Sequence, residues 1–189
     1  MTSKATRNSQ ARFAYVGTYT RNAPGGWSAQ AELSSPLGIS VFSVNDRTGD
    51  LLLIQTVTSD NPAYVVIHPS QNYLYVLNEI EDYQGKRAGS LEAYAIDEKT
   101  GKLTLINRVS CGSTPAQLAV SPQGEYLILA TYMGATYEVF TIDKSGALHD
   151  SSLVLPQVGS GPHWRQEQAH PHAVVFDPSG GFIATADLG

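Results

Sequence analysis

Asn61-Pro62-Ala63-Tyr64-Val65-Val66-Ile67-His68-Pro69 returns as Thr114-Pro115-Ala116-Gln117-Leu118-Ala119-Val120-Ser121-Pro122, and again as His170-Pro171-His172-Ala173-Val174-Val175-Phe176-Asp177-Pro178. In each copy two prolines flank a short, largely apolar run at the same spacing. The closing prolines Pro69, Pro122 and Pro178 are separated by 53 and 56 residues. A second marker travels with the first. Asp46-Arg47-Thr48-Gly49, Asp97-Glu98-Lys99-Thr100-Gly101 and Asp143-Lys144-Ser145-Gly146 each set a glycine between two apolar runs, where a tight turn needs φ > 0. A period of roughly 40–50 residues made only of strands and turns is the pattern of a radial array of small sheets, a β-propeller.

Working outward, each repeat reads as four antiparallel strands. The second repeat predicts strands over 63–67, 73–78, 90–96 and 103–109. The third predicts them over 117–120, 126–132 and 137–142, with a weaker outer strand near Leu153. The fourth offers only 172–176 and 182–186. The first is split: strands over 13–19, 38–44 and 51–57 surround residues 21–36, rich in Gly, Pro, Ser, Ala and Asn, which read as a tolerated surface loop, the alternative being an insertion that lies over one face of the ring and borders a site. No segment has helical periodicity over two turns. The expectation is therefore an all-β chain: residues 1–12 as a disordered start, and 13–189 as about three and a half four-stranded blades, against the roughly four to eight of a closed propeller; the ring of seven is what the resemblance given below implies. A propeller buries its edges by closing, so the expected context is the N-terminal part of a longer protein. The alternative is self-association of incomplete rings.

Composition narrows the function classes. Net charge is −5 with no Lys/Arg cluster, which gives no support for nucleic-acid binding. No run approaches the ~18 apolar residues of a membrane span, and the first ten residues lack the apolar stretch of a signal peptide. Cys111 is the single cysteine, so no internal disulfide forms; it reads as a small residue at a strand edge. The location expected from these features is cytoplasmic.

The chemistry concentrates in the fourth repeat. The strand entered after the first proline of each repeat is expected to line the central channel. Where the other repeats carry Asn61 and Ala63, or Thr114 and Ala116, this one carries His170 and His172. Alternate residues of a strand share a face, so both rings are expected to converge near the channel. The preceding loop, 159–168, holds His163, Trp164, Arg165, Gln166 and Glu167. Imidazole accepts a proton from water near neutral pH, and Arg grips a carboxylate or phosphate or stabilises an oxyanion. The competing reading is that these histidines cap strands. A zinc reading of His-x-His with Glu167 lacks further ligands, so no metal is expected. Gly159-Ser160-Gly161 is not a nucleophile elbow, and no dinucleotide or phosphate loop is present, so no cofactor is expected. Asn78-Glu79 ends a second strand, in register with Thr131-Tyr132 and Asp187-Leu188, and is expected at the channel mouth. Glu79, Glu81 and Asp82 also read as a solvated acidic loop. His68-Pro69 reads as turn chemistry, and His149 has no partner legible in the sequence.

Several stretches resemble the seven-bladed propeller lactonase family, which includes propeller-type 6-phosphogluconolactonases and fungal carboxy-cis,cis-muconate cyclases. They are Tyr15-Val16-Gly17-Thr18-Tyr19-Thr20, Asn61-Pro62-Ala63-Tyr64, Leu74-Tyr75-Val76-Leu77-Asn78-Glu79 and 97–103. The most specific series is Arg165-Gln166, His170-Pro171-His172, Phe176-Asp177-Pro178-Ser179-Gly180 and Ala186-Asp187-Leu188-Gly189. The resemblance covers the chain from Phe13 onward. It implies a small-molecule lactone opened by water in a cleft on the channel axis, with His170 and His172 as catalytic candidates. Arg165, Gln166, Asn78 and Glu79 are then candidates for binding substrate. Family members run to about twice this length, and their second half supplies an Arg and a Glu also thought to serve the site. The first expectation is hydrolysis of 6-phosphogluconolactone. Muconate cyclisation and a non-catalytic interaction platform are the alternatives.

Overall fold

A computed structural model describes residues 12–21 and 38–189. Most of the expected disordered start and of the expected insertion loop lies outside the described residues. Arg12, assigned above to that start, already belongs to a strand.

The described chain forms four antiparallel sheets. In the first, β1 (Arg12–Gly17), β2 (Ile39–Val44) and β3 (Leu51–Val57) lie in that order. The second orders β4 (Pro62–Ile67), β5 (Tyr73–Asn78), β6 (Gly89–Ile96) and β7 (Leu103–Cys111). The third repeats this with β8 (Pro115–Val120), β9 (Tyr126–Thr131), β10 (Thr136–Thr141) and β11 (Leu153–Pro156). The fourth holds β12 (Pro171–Phe176) and β13 (Ile183–Asp187). This is the all-β partial propeller expected from the repeat. A 3-10 turn, Tyr83–Gly85, is the one helical piece among the described residues, and no helix there is long and apolar enough to cross a membrane.

The second strands of the two complete sheets, β5 and β9, are apolar at nearly every position because both of their faces are covered. In β5, Leu74 and Val76 join Ile39, Val41, Tyr94 and Leu103 in one core layer. Tyr75 and Leu77 point the other way and join Leu118, Leu127, Leu129 and Phe140. In β9, Ile128 and Ala130 turn to a third layer with Tyr137 and Val174. Period-two alternation thus assigns each strand's residues to two inter-blade cores.

The blades are also tied by repeated polar contacts. Tyr15 Oη donates to the carbonyl of Gly101 (2.9 Å), and Tyr75 Oη donates to that of Gly146 (3.1 Å). Gln55 brackets the backbone of Leu103 with both ends of its amide, and Asn107 does the same to Leu148. These pairs fix the register between repeats. Since Gly17 pairs with Ile39 and Leu77 with Leu91, β1 is the counterpart of β5, and Tyr19 is the counterpart of Glu79. Among the described residues the first sheet has no strand matching β4, β8 or β12.

Those three strands lie side by side at the hub. Gln117 in β8 donates to Tyr64 Oη in β4 (3.0 Å) and accepts from the N–H of Val174 in β12 (3.0 Å). His68, read as turn chemistry, makes both a turn bond to Ser70 and a blade contact to the carbonyl of Gly124 (3.0 Å). His149 does find a partner, Asp143 (3.3 Å).

Candidate active site

Each hub strand enters with an irregularity. The pairing register shifts between Pro62 and Tyr64, between Pro115 and Gln117, and between Pro171 and Ala173. The residues skipped are Ala63, Ala116 and His172. A bulge leaves its extra residue unpaired and re-aims the side chain. Two blades place a methyl group there; the fourth places an imidazole, and that imidazole is exposed.

The residue two before the bulge goes elsewhere. Asn61, Thr114 and His170 are all buried, and their carbonyls accept from the N–H groups of Glu79, Tyr132 and Leu188 (2.9, 2.9 and 3.0 Å). The expectation that His170 and His172 share one face therefore fails, because the bulge breaks the alternation on which it rested. His170 is 1 % exposed. Its ring stacks on Tyr132 with centroids 4.1 Å apart, its Nδ1 lies 3.2 Å from the Tyr132 carbonyl, and its Nε2 lies 3.3 Å from Glu167. His172 meets the same Tyr132 edge-on, at 6.2 Å. Tyr132 thus stands between a buried histidine and an exposed one.

Equivalent positions beyond each second strand hold Tyr19, Glu79, Tyr132 and Leu188, of which Tyr132 and Leu188 contact the histidines. Tyr19 Oη donates to Glu79 Oε2 at 2.6 Å. Burial pushes the Glu79 carboxyl above its usual range; the Tyr19 bond and the charge of His172 act against that rise. The Tyr19 phenol is itself pushed well up, first by burial and then by Glu79, so it stays a donor. Arg21 holds this segment in place. It grips both oxygens of Asp60 (2.8 and 2.9 Å) and both of Asp82 (2.9 and 2.5 Å), while the N–H groups of Thr20 and Arg21 donate to Asn61 Oδ1. Of the solvated acidic loop expected from sequence, Glu81 and Asp82 are exposed, with Asp82 also paired to Arg21, whereas Glu79 departs from it and is half-buried beneath a tyrosine.

The remaining sequence candidates separate. Asn78 is 1 % exposed, donates to Ser59 and accepts from Ser90 (2.8 and 2.9 Å), so its amide is spent inside the blade. Gln166 donates to the carbonyl of Leu188 (3.3 Å) and accepts from the N–H of His163 (3.3 Å), tying the 159–168 loop to the end of β13. Arg165 is half-buried; its guanidinium lies 6.0 Å from the Trp164 ring centroid. Among the described residues no three His, Cys, Asp or Glu side chains come together in a way that could hold a metal ion. Cys111 is buried, and burial followed by the Glu138 charge pushes its thiol well up, which disfavours a nucleophilic thiolate. Sequence reasoning missed Tyr19 and Arg21. The signal was present, since Tyr19 shares the register of Glu79, but it required matching β1 to the second strands of the other repeats.

Fold and hub together define a partial propeller whose channel mouth carries an exposed imidazole, a half-buried carboxylate and two tyrosines. The lactonase 7-bladed beta-propeller family model matches residues 13–189, and the chain belongs to that family. It is 29 % identical over 176 residues to the 6-phosphogluconolactonase of Bacillus subtilis, covering 93 % of this chain and 46 % of that protein. Among solved structures it is similar to a putative 6-phosphogluconolactonase of Bacteroides fragilis, with a TM-score of 0.80, 30 % identity, and 98 % and 48 % of the two chains covered. It is also similar to a periplasmic gluconolactonase of Pseudomonas aeruginosa (TM-score 0.78, 26 % identity, 95 % and 47 % covered). The chain spans about half the length of the curated relatives it matches.

Proposed function

We propose that the whole protein hydrolyses a sugar lactone, with 6-phosphogluconolactone as the substrate. The observation that carries this reading is His172: an exposed imidazole, re-aimed by a bulge at the mouth of the hub, in a family named for lactone hydrolysis. Relatives named 6-phosphogluconolactonase support the choice of substrate.

In this reading His172 removes a proton from water as the water oxygen bonds to the lactone carbonyl carbon, and the carbonyl electron pair moves onto its oxygen. When the tetrahedral species collapses, the ring C–O bond breaks and the imidazolium returns its proton to the departing ring oxygen. The product is the open hydroxy acid, which then ionises. Arg165 is the proposed anion binder on this half of the site. His170, Asn78 and Gln166 are assigned support rather than substrate contact, because their polar atoms are engaged within the protein. A cytoplasmic location goes with this proposal and is supported by the lone buried Cys111. Fractionation decides it, since one similar structure is periplasmic.

The test is release of 6-phosphogluconate from 6-phosphogluconolactone by the whole protein and its His172→Ala variant. Loss of general-base catalysis lowers kcat by about 10²–10⁴-fold. Turnover unchanged in the variant removes His172 from the mechanism.

A further inference from the structure

His172 carries the proposed chemistry with little to hold it. It is the extra residue of the bulge in β12 and is exposed, and its imidazole makes no hydrogen bond or ion pair among the described residues. Its ring does meet Tyr132, edge-on, with centroids 6.2 Å apart. Tyr132 is buried and held at three points. Its N–H donates to the carbonyl of Thr114 (2.9 Å), its own carbonyl lies 3.2 Å from His170 Nδ1, and its ring stacks on the His170 ring at 4.1 Å. The position of His170 has the same duty in the other blades. Asn61 Oδ1 accepts from the N–H groups of Thr20 and Arg21, and the N–H of Thr114 donates to the carbonyl of Ile80 (2.9 Å). In each case the residue before the hub-strand proline grips the segment that follows the second strand of the preceding blade. Of these three residues, His170 alone does so with a ring, and the ring it holds is the one that His172 meets.

We infer that Tyr132 is a positioning residue for His172, and that His170 acts through it by fixing the tyrosine ring. The inference rests on the lactonase reading. A general base works only from a narrow range of positions around the proton it removes. It is ordinarily aimed by a third group bonded to its second nitrogen. His172 has no such bond among the described contacts, so its aim falls to the ring contact. An exposed side chain free to turn about χ1 divides its time among staggered rotamers. An edge-to-face contact between rings favours the rotamer that makes it. Stacking on His170 keeps Tyr132 from yielding as His172 turns. The two histidines of the motif thus divide the work: the buried one fixes a platform, and the exposed one takes the proton.

The experiment uses the whole protein and its Tyr132→Leu, Tyr132→Phe and His170→Ala variants, each studied below its thermal unfolding transition. Two readouts are taken: steady-state kinetics on 6-phosphogluconolactone, and the χ1 populations of His172 from three-bond NMR couplings to its Cγ. The wild type is expected to show a single dominant His172 rotamer. Tyr132→Leu keeps apolar bulk but removes the ring; it should average χ1 and lower kcat on the order of tenfold with little change in KM. Tyr132→Phe restores the ring and should recover the single rotamer and most of the lost kcat. His170→Ala should move both readouts in the direction of Tyr132→Leu. An averaged His172 χ1 in the wild type overturns the inference whether or not the variants fold. So does a single rotamer or wild-type kcat in Tyr132→Leu, or a Tyr132→Phe variant as impaired as Tyr132→Leu. Wild-type values of both readouts in His170→Ala overturn the part assigned to His170. Absence of lactone turnover in the wild type, with χ1 still released in Tyr132→Leu, instead overturns the lactonase reading and the catalytic role with it, and leaves only an ordered ring.

Discussion

His170 and His172 are two positions apart and live in opposite surroundings. The first is enclosed, stacked on Tyr132 and bracketed by a carbonyl and Glu167; the second stands in solvent at the hub. Their substitutions should separate accordingly. His170→Ala removes a packed ring and leaves a cavity against Tyr132, which is expected to lower stability by about 2–4 kcal/mol. His172→Ala is expected to stay within about 0.5 kcal/mol of wild type while losing turnover. Thermal unfolding of the two variants side by side checks this; equal destabilisation would contradict the assignment. The motif itself was legible in the sequence because it interrupts a repeat of small residues. Which histidine faces solvent was not, because a bulge is a property of the pairing between β12 and β13 and neither strand declares it alone. That the amides of Asn78 and Gln166 are engaged within the protein was hidden for a related reason. Composition marks an amide as polar, but only the neighbouring backbone shows whether its hydrogen bonds are already made.

At the scale of the element, the hairpin turns carry much of the fold's definition, and they were the most readable part of the chain. Gly49, Gly101 and Gly146 all have positive φ (77°, 69° and 82°) in turns opened by Asn45, Asp97 and Asp143. The side-chain oxygens of those three residues accept from backbone N–H groups two and three or four residues on. For the two aspartates, the hydroxyl bonds from Thr100 and Ser145, followed by these backbone bonds, pull the carboxyl below its usual range. The three glycines differ in surroundings. A Cβ on Gly49 meets nothing, whereas on Gly146 it would run into the Tyr73 ring of the preceding blade. Gly49→Ala therefore probes the backbone conformation alone, at about 1 kcal/mol. Gly146→Ala adds displacement of Tyr73 and is expected to lose about 2–3 kcal/mol. Urea unfolding of both variants tests the difference, and equal losses would mean that Tyr73 gives way without resistance. The turn residues announce themselves in sequence through φ > 0. Their second duty, seating an aromatic from the neighbouring blade, depends on contacts between repeats and was hidden.

Across the whole molecule, the blades are joined by a buried carboxylate that recurs. Glu92 in β6 and Glu138 in β10 occupy the same register, each beneath the connection that leads into its own blade. Glu138 accepts from the N–H of Gly112 and from Thr136 Oγ1 (3.0 and 2.9 Å). Burial pushes its carboxyl up, and those two bonds restrain the rise. Glu92, 2 % exposed, accepts from Ser59 Oγ, Tyr94 Oη and Arg108 Nε, each at 2.7 Å, and Ser59 in turn receives the amide of Asn78. The network reaches from the crossover into β4 through the middle of the second sheet to its outer strand. Removing its centre should matter more than removing its edge. Glu92→Ala leaves Ser59 and Tyr94 with buried, unmatched hydroxyls and is expected to cost about 2–4 kcal/mol. Arg108 is 42 % exposed at its side chain, so water replaces part of what Glu92 supplied and Arg108→Ala should cost about 1 kcal/mol. Chemical unfolding of the two variants of the whole protein measures the ordering. If Arg108→Ala proved the more damaging, the strength of the network would lie in the ion pair, and the carboxylate could not be the element that fixes the approach to β4.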